Sequence, residues 1–101
     1  MACHILWSDY ALEQAAELFD FIAEENPAAA RRVIQDLFDR VEALAEHPLL
    51  GRRLLEGVDP SLRRFVVGNY IVLYYVNDAR QMIDIVAVRH FRQRPLPQEE
   101  P

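Results

Sequence analysis

The sequence predicts a small α+β domain of order β-α-α-β-β-β, an antiparallel sheet packed against an N-terminal helical hairpin. Three observations carry this. Residues 62–92 (LRRFVVGNYIVLYYVNDARQMIDIVAVRHFR) are dense in Val, Ile, Tyr and Phe, the residues that suit a pleated, half-buried surface. Two polar punctuations, Gly68-Asn69 and Asn77-Asp78-Ala79-Arg80, cut that stretch into three strands. Before it, apolar residues recur at helical spacing in two blocks separated by Asn26-Pro27.

In chain order, His4-Ile5-Leu6-Trp7 reads as a short first strand. Ser8 or Asp9 supplies a side-chain oxygen for a helix N-cap. Leu12, Ala15, Ala16, Phe19, Ile22 and Ala23 form the apolar stripe of a first helix expected over residues 9–25. Asn26 caps a second helix, and Pro27 suits its first position, where the missing N–H has no intrahelical partner. The stripe of that helix runs Ala30, Val33, Ile34, Leu37, Phe38, Val41, Leu44, Ala45, and His47-Pro48 ends it. Residues 49–61 read as a loop broken by Gly51, Gly57 and Pro60, with Arg52, Arg53 and Glu56 accessible. Tyr70 to Val76 is apolar at both parities, which predicts a central strand. Residues 93–101, with three prolines and no periodicity, read as a mobile tail to a single domain of residues 1–92.

Composition narrows the function classes. A chain of 101 residues supports one modest core, and 51 % hydrophobic with 27 % charged residues excludes wholesale disorder. The net charge of −5 argues against a general nucleic-acid binder. That charge is unevenly spread. Residues 1–50 carry ten acids against three arginines, whereas residues 51–94 carry eight arginines against four acids. All eleven basic residues are arginine, a planar fork suited to carboxylate or phosphate, although coding bias towards arginine explains the same skew. The single Cys3 cannot form an internal disulfide. No cofactor motif, Gly-rich phosphate loop or nucleophile elbow is present, and the histidines lack metal-ligand spacing, so neither cofactor nor metal is expected. With no signal-peptide pattern and no membrane span, the expected location is the cytoplasm.

Two clusters remain for chemistry. Arg63 and Arg64 are adjacent in a strand, so their guanidinium groups point to opposite faces, one towards the helices or rim and one away. At the far end, Arg89-His90-Phe91-Arg92 sets a histidine, a side chain able to exchange protons, among arginines. Such a group is suited to proton transfer in RNA cleavage, with arginines stabilising the developing phosphorane charge. It is equally suited to a plain structural hydrogen bond. The first and third strands of a meander run the same way, so the two clusters are expected to serve different surfaces. Tyr70, Tyr74 and Tyr75 can stack on bases or anchor an interface; their strand setting favours a core role with a satisfied hydroxyl for Tyr74 or Tyr75, and Trp7 reads as packing.

Taken in order, Ile5-Leu6-Trp7-Ser8, Ala11 with Leu18, Phe21 and Ile22, the Pro48-Leu49-Leu50-Gly51-Arg52 segment, Leu62-Arg63-Arg64, Tyr70 to Tyr75 and Ile83 to His90 resemble the RelE/ParE toxin superfamily of type II toxin–antitoxin modules. The resemblance implies a toxin neutralised by a cognate antitoxin, within a possible higher-order assembly. It also implies one of two activities. RelE-like members cleave mRNA on the ribosome, and in that reading Arg64 and His90 match residues used for catalysis, with Glu56 a poorly aligned match for the acid. Phe91 stands where related nucleases carry a tyrosine, which removes a hydroxyl. ParE-like members poison DNA gyrase without a chemical step; in that reading Arg52, Arg63, Arg64, Arg89 and Arg92 bind target or antitoxin. Low net charge, absence of lysine, and the Pro-Leu-Leu-Gly-Arg and Val-Arg-His segments favour the ParE-like branch. A non-toxic interaction protein of the same fold is the third reading.

Overall fold

A computed structural model describes residues 3–53 and 61–90 of the chain. Glu56, Gly57, Pro60, Phe91, Arg92 and the expected tail lie outside the described residues.

The first strand, β1 (His4–Trp7), leads directly into α1 (Asp9–Ala23). Ser8 makes that corner: its hydroxyl oxygen accepts from the Ala11 N–H at 3.0 Å, which satisfies one of the unpaired donors of the first turn. The same hydroxyl donates to the Val86 carbonyl at 3.4 Å, and the Ser8 N–H donates to the Ile85 carbonyl at 2.9 Å. One residue thus starts the helix and pins it to the last strand. α2 (Pro27–Val41) begins as the sequence predicts, with the Asn26 side chain accepting from the Ala29 N–H and proline in the first turn.

The hairpin departs from expectation in three details. α1 stops at Ala23, two residues early. Its buried line runs through Ala11 and Ala15, with Leu18, Phe19 and Ile22 half-buried, while Leu12 and Ala16 are exposed. Ala11 lies innermost, within the main core that the sheet and the second helix share. The second helix divides at Glu42 into α2 and a short α3 (Ala43–Glu46). There the ladder shifts from the Glu42 N–H donating to the Phe38 carbonyl to the Ala45 N–H donating to the Glu42 carbonyl. This tightening to i→i+3 spacing turns Leu44 fully into the core.

The three C-terminal strands are β3 (Leu62–Val67), β4 (Tyr70–Asn77) and β5 (Met82–His90), joined by the two predicted turns. Gly68 adopts φ +59° in the first turn, a conformation that a glycine reaches without steric penalty. Two further strands extend the meander. Arg52–Arg53, read as loop from sequence, forms a two-residue strand β2 antiparallel to β3. β1 pairs with β5 in parallel, His4 opposite Met82 through Trp7 opposite Ile85. The sheet is therefore five-stranded and mixed, in the order β1-β5-β4-β3-β2, with β4 at its centre.

Side chains alternate across this sheet. Phe65, Val67, Val72, Tyr74, Ile83, Ile85 and Val88 meet Leu37, Val41 and Leu44 of the hairpin in the main core. Trp7 joins them, its ring 4.6 Å from that of Phe38. On the other face Leu62, Ile71, Leu73 and Ala87 form a second buried cluster, flanked by Tyr75 and Val86. A register shift after Leu73 leaves Val86 as the extra residue between the pairs Leu73–Ala87 and Tyr74–Ile85. The Val88 N–H, past the end of β1, donates to the Gln14 side chain at 2.6 Å, so α1 closes the edge where β1 stops.

Ser8→Ala removes the cap and the tie to Val86 together. We expect a loss of about 1 kcal/mol, at the usual scale of a lost N-cap, read as a lowered urea midpoint with an unchanged slope.

Candidate functional site

The loop before β2 is held from beneath by a tyrosine in the central strand. Tyr74 is fully buried, and its hydroxyl donates to the Pro48 carbonyl and accepts from the Gly51 N–H, both at 2.8 Å. Gly51 allows this approach. A Cβ there would stand 2.5 Å from the Arg64 carbonyl oxygen and 2.7 Å from the Tyr74 ring. Arg63 locks the same loop from the side, its guanidinium donating to the Gly51 carbonyl at 2.6 Å and, at 3.5 Å, to that of Leu49. Pro48-Leu49-Leu50-Gly51-Arg52 is thus a latched segment that delivers Arg52 into the sheet opposite Arg64. Leu49 and Leu50 are left pointing to solvent.

Burial raises the pKa of Tyr74 above its ordinary value near 10, and the Gly51 hydrogen bond and the Arg63 charge oppose that rise. Tyr70 is also raised by burial.

Register divides each of the two arginine clusters between the faces. Arg63 belongs to the helix face, where it serves the latch, whereas Arg64 is exposed on the other face. Arg89 sits opposite Ile71 and so shares the face of Arg64; His90 sits opposite Tyr70, on the helix face. Arg64 and Arg89 are two strands and two residues apart, a Cα separation of about 12 Å from ordinary sheet spacings. The clusters expected on separate surfaces therefore contribute one arginine each to a common face. Arg64 and His90, the pair required by the nuclease reading, lie on opposite faces of the sheet.

His90 lines a groove of about 530 Å³ between α1 and the ends of β4 and β5. Its ring meets the edge of Tyr70 at 5.2 Å, and Gln14, Glu17, Leu18 and Phe21 form the helical wall. Phe21 is 74 % exposed, the most exposed of the large apolar side chains among the described residues. A second groove, of about 370 Å³, lies beside Arg52 and Arg64 and is walled by Leu50, Gly51, Phe65 and Val66. Sequence reasoning missed Gln14, Glu17 and Phe21 as a groove wall, since a helical stripe does not show where a sheet ends. It also missed the joint role of Tyr74 and Gly51. A glycine in a Pro-Leu-Leu-Gly-Arg segment and a tyrosine within an apolar strand were visible signals, but nothing in the sequence joins them. Among the described residues no three His, Cys, Asp or Glu side chains gather as a metal site, and no helix is long and apolar enough to cross a membrane.

Five mixed strands, a helical hairpin on one face and an arginine-bearing edge define a class of small α+β protein with known relatives. The family model described as the ParE toxin of type II toxin–antitoxin system, parDE, matches residues 5–95. Toxin RelE2 of Caulobacter vibrioides is 33 % identical over 87 residues, 85 % of this chain and 92 % of its own. The Sinorhizobium fredii protein described as putative toxin Y4kP is 33 % identical over 92 residues, 89 % of this chain and 90 % of its own. Similar solved folds include a chain of the chromosomal ParDE system from P. aeruginosa, with TM-score 0.73 at 17 % identity over 88 % of this chain and 96 % of that one. The isolated E. coli RelE toxin has TM-score 0.66 at 17 % identity, over 92 % and 88 %. The chain belongs to the RelE/ParE toxin superfamily of type II toxin–antitoxin systems, and the family model it matches is that of ParE.

Tyr74→Phe strands a buried N–H and a carbonyl, and we expect a loss of about 1–3 kcal/mol, measured by urea unfolding at neutral pH. Because the folded state holds the Tyr74 phenol above its unfolded value, the associated stability is complete below about pH 10 and declines as pH rises through the raised value. Unfolding midpoints followed into alkali should fall less steeply in Tyr74→Phe than in the native chain.

Proposed function

We propose that this chain is a ParE-like toxin that acts in the cytoplasm, binds DNA gyrase, stabilises the cleaved-DNA complex and is held inactive by a cognate antitoxin. The observation that carries this reading is the division of Arg64 from His90 by the sheet. An acid/base group and the cation that neutralises a phosphorane must reach the same phosphate, within hydrogen-bond distance. Residues on opposite faces do not meet that requirement. A net charge of −5 supports the same reading, because an acidic chain is repelled from the phosphate-lined interior of a ribosome. The exposed arginines of the far face and β2 edge, Arg52 and Arg64, together with Arg89, supply charge-assisted contacts to a protein surface. Arg63 contributes by holding the loop, whereas Arg92 lies outside the described residues.

One observation favours the second reading, a ribosome-dependent mRNA endonuclease: His90, Tyr70 and Glu17 converge on one groove, which brings several proton-transferring groups together. The two readings separate cleanly. Expression without antitoxin should arrest DNA synthesis before protein synthesis. The purified chain should inhibit gyrase supercoiling of a plasmid, leave translating mRNA intact, and retain that inhibition in His90→Ala. Ribosome-dependent cuts within codons, lost in His90→Ala, would establish the nuclease instead. Expression that harms nothing would leave the third reading, a non-toxic interaction protein.

A further inference from the structure

Arg52 and Arg64 are cross-strand partners in the antiparallel pair of β2 and β3. Such partners have Cβ atoms about 4.5–5.5 Å apart, and like charges so placed destabilise the pairing. Both side chains are exposed, and neither hydrogen-bonds nor ion-pairs with another described residue. The neighbouring pair, Arg53 opposite Arg63, is relieved differently, because the Arg63 guanidinium is turned onto the Gly51 carbonyl. Nor can Arg52 drift away. The residue before it is bonded through its N–H to Tyr74 and through its C=O to Arg63, and its Cα packs where no Cβ would fit. The fold thus holds two guanidinium groups, neutralised by no described residue, at paired cross-strand positions against their repulsion, beside a groove that Leu50 and Val66 also line.

We infer that Arg52 and Arg64 form a preorganised clamp for a carboxylate, and that its occupant is an acidic–apolar segment of the cognate antitoxin. The inference rests on the toxin reading above. Two guanidinium forks carried on cross-strand partners can take the two oxygens of an Asp or Glu side chain. Phosphate offers the same oxygens, but Leu50 and Val66 line the groove beside the pair and the chain as a whole is negative, so a polyanion meets repulsion outside the clamp. A peptide with a carboxylate beside an apolar side chain satisfies the clamp and the groove together. The occupant is the antitoxin rather than the target because Leu49 and Leu50, 66 % and 52 % exposed, make this edge a site of association while it is bare. A partner that stays bound covers it continuously; a target met only on release of the toxin does not. Tyr74 and Arg63 hold the backbone of the segment before Arg52, so binding does not have to order that loop.

The experiment compares the purified full-length chain with Arg52→Gln, Arg64→Gln and Arg53→Gln variants, titrated with the full-length antitoxin encoded beside it. Arg52→Gln and Arg64→Gln should each weaken binding by about tenfold or more, the scale of a lost charge-assisted contact. Native affinity should fall as NaCl rises, and the double variant should lose much of that salt dependence. In the free toxin the same two substitutions should raise the urea midpoint, because they remove a like-charge pair. A merely structural arginine would lower it. Arg53→Gln should leave antitoxin affinity unchanged. Unchanged affinity in Arg52→Gln and Arg64→Gln overturns the proposal, as does a lowered midpoint in the free chain. Retained antitoxin binding with lost gyrase inhibition also overturns it, by moving the clamp to the target surface. If the native chain is harmless and binds no antitoxin, the toxin reading fails at the first step, and the clamp's assigned occupant falls with it.

Discussion

Tyr74 is buried in the main core, in the central strand, and its hydroxyl bonds both ends of the Pro48–Gly51 loop that leads into β2. A phenol buried without partners would be a net penalty of a few kcal/mol. Here it accepts from one buried amide and donates to one carbonyl, so the penalty becomes a link between the helical hairpin's exit and the sheet's outer edge. Arg63 adds a charge-assisted bond to the carbonyl of the same glycine. Without the tyrosine's oxygen the Pro48 carbonyl and the Gly51 N–H lose their partner, and Arg63 alone is left to hold the segment that leads Arg52 to its place opposite Arg64.

At the opposite edge a different pair of side chains does comparable work. Ser8 and Gln14 of α1 reach the backbone of β5 where β1 stops pairing with it. The helix therefore both covers the sheet and completes its hydrogen bonding. Beyond Gln14 the helix continues while the sheet ends, and the space between them is the groove that holds His90, Tyr70 and Phe21. The molecule thus presents two separate concavities, one with an acid and a histidine between helix and sheet, the other with two arginines at the β2 edge. A sheet one side chain thick keeps Arg64 and His90 apart, and that separation, more than any residue's absence, weighs against a shared phosphate site.

The local pattern of the sequence made much of the architecture legible. Period-3.6 stripes, the Asn26-Pro27 start and the Val- and Ile-rich meander identify the hairpin and three strands because each signal involves near neighbours in the chain. Even the opposite facing of Arg63 and Arg64 follows from strand geometry alone. The two-residue strand β2 did not show, because Arg52 and Arg53 have no strand pattern of their own and pair only because the latch holds them in place. The parallel pairing of β1 with β5 spans nearly the whole chain and leaves no local trace.

What the sequence by itself determined, then, is the helical hairpin, four of the five strands, their order and the toxin superfamily they spell out. The tertiary structure alone decided which arginines are neighbours. Arg52 and Arg64 are twelve positions apart and meet as cross-strand partners, while Arg63 beside Arg64 is turned away onto a carbonyl. Strand pairing and face are set by register, and the segment that brings Arg52 to β3 is held by a buried hydroxyl whose partners lie 23 and 26 residues away. Contacts at that separation are products of packing, and no local pattern of residues encodes them.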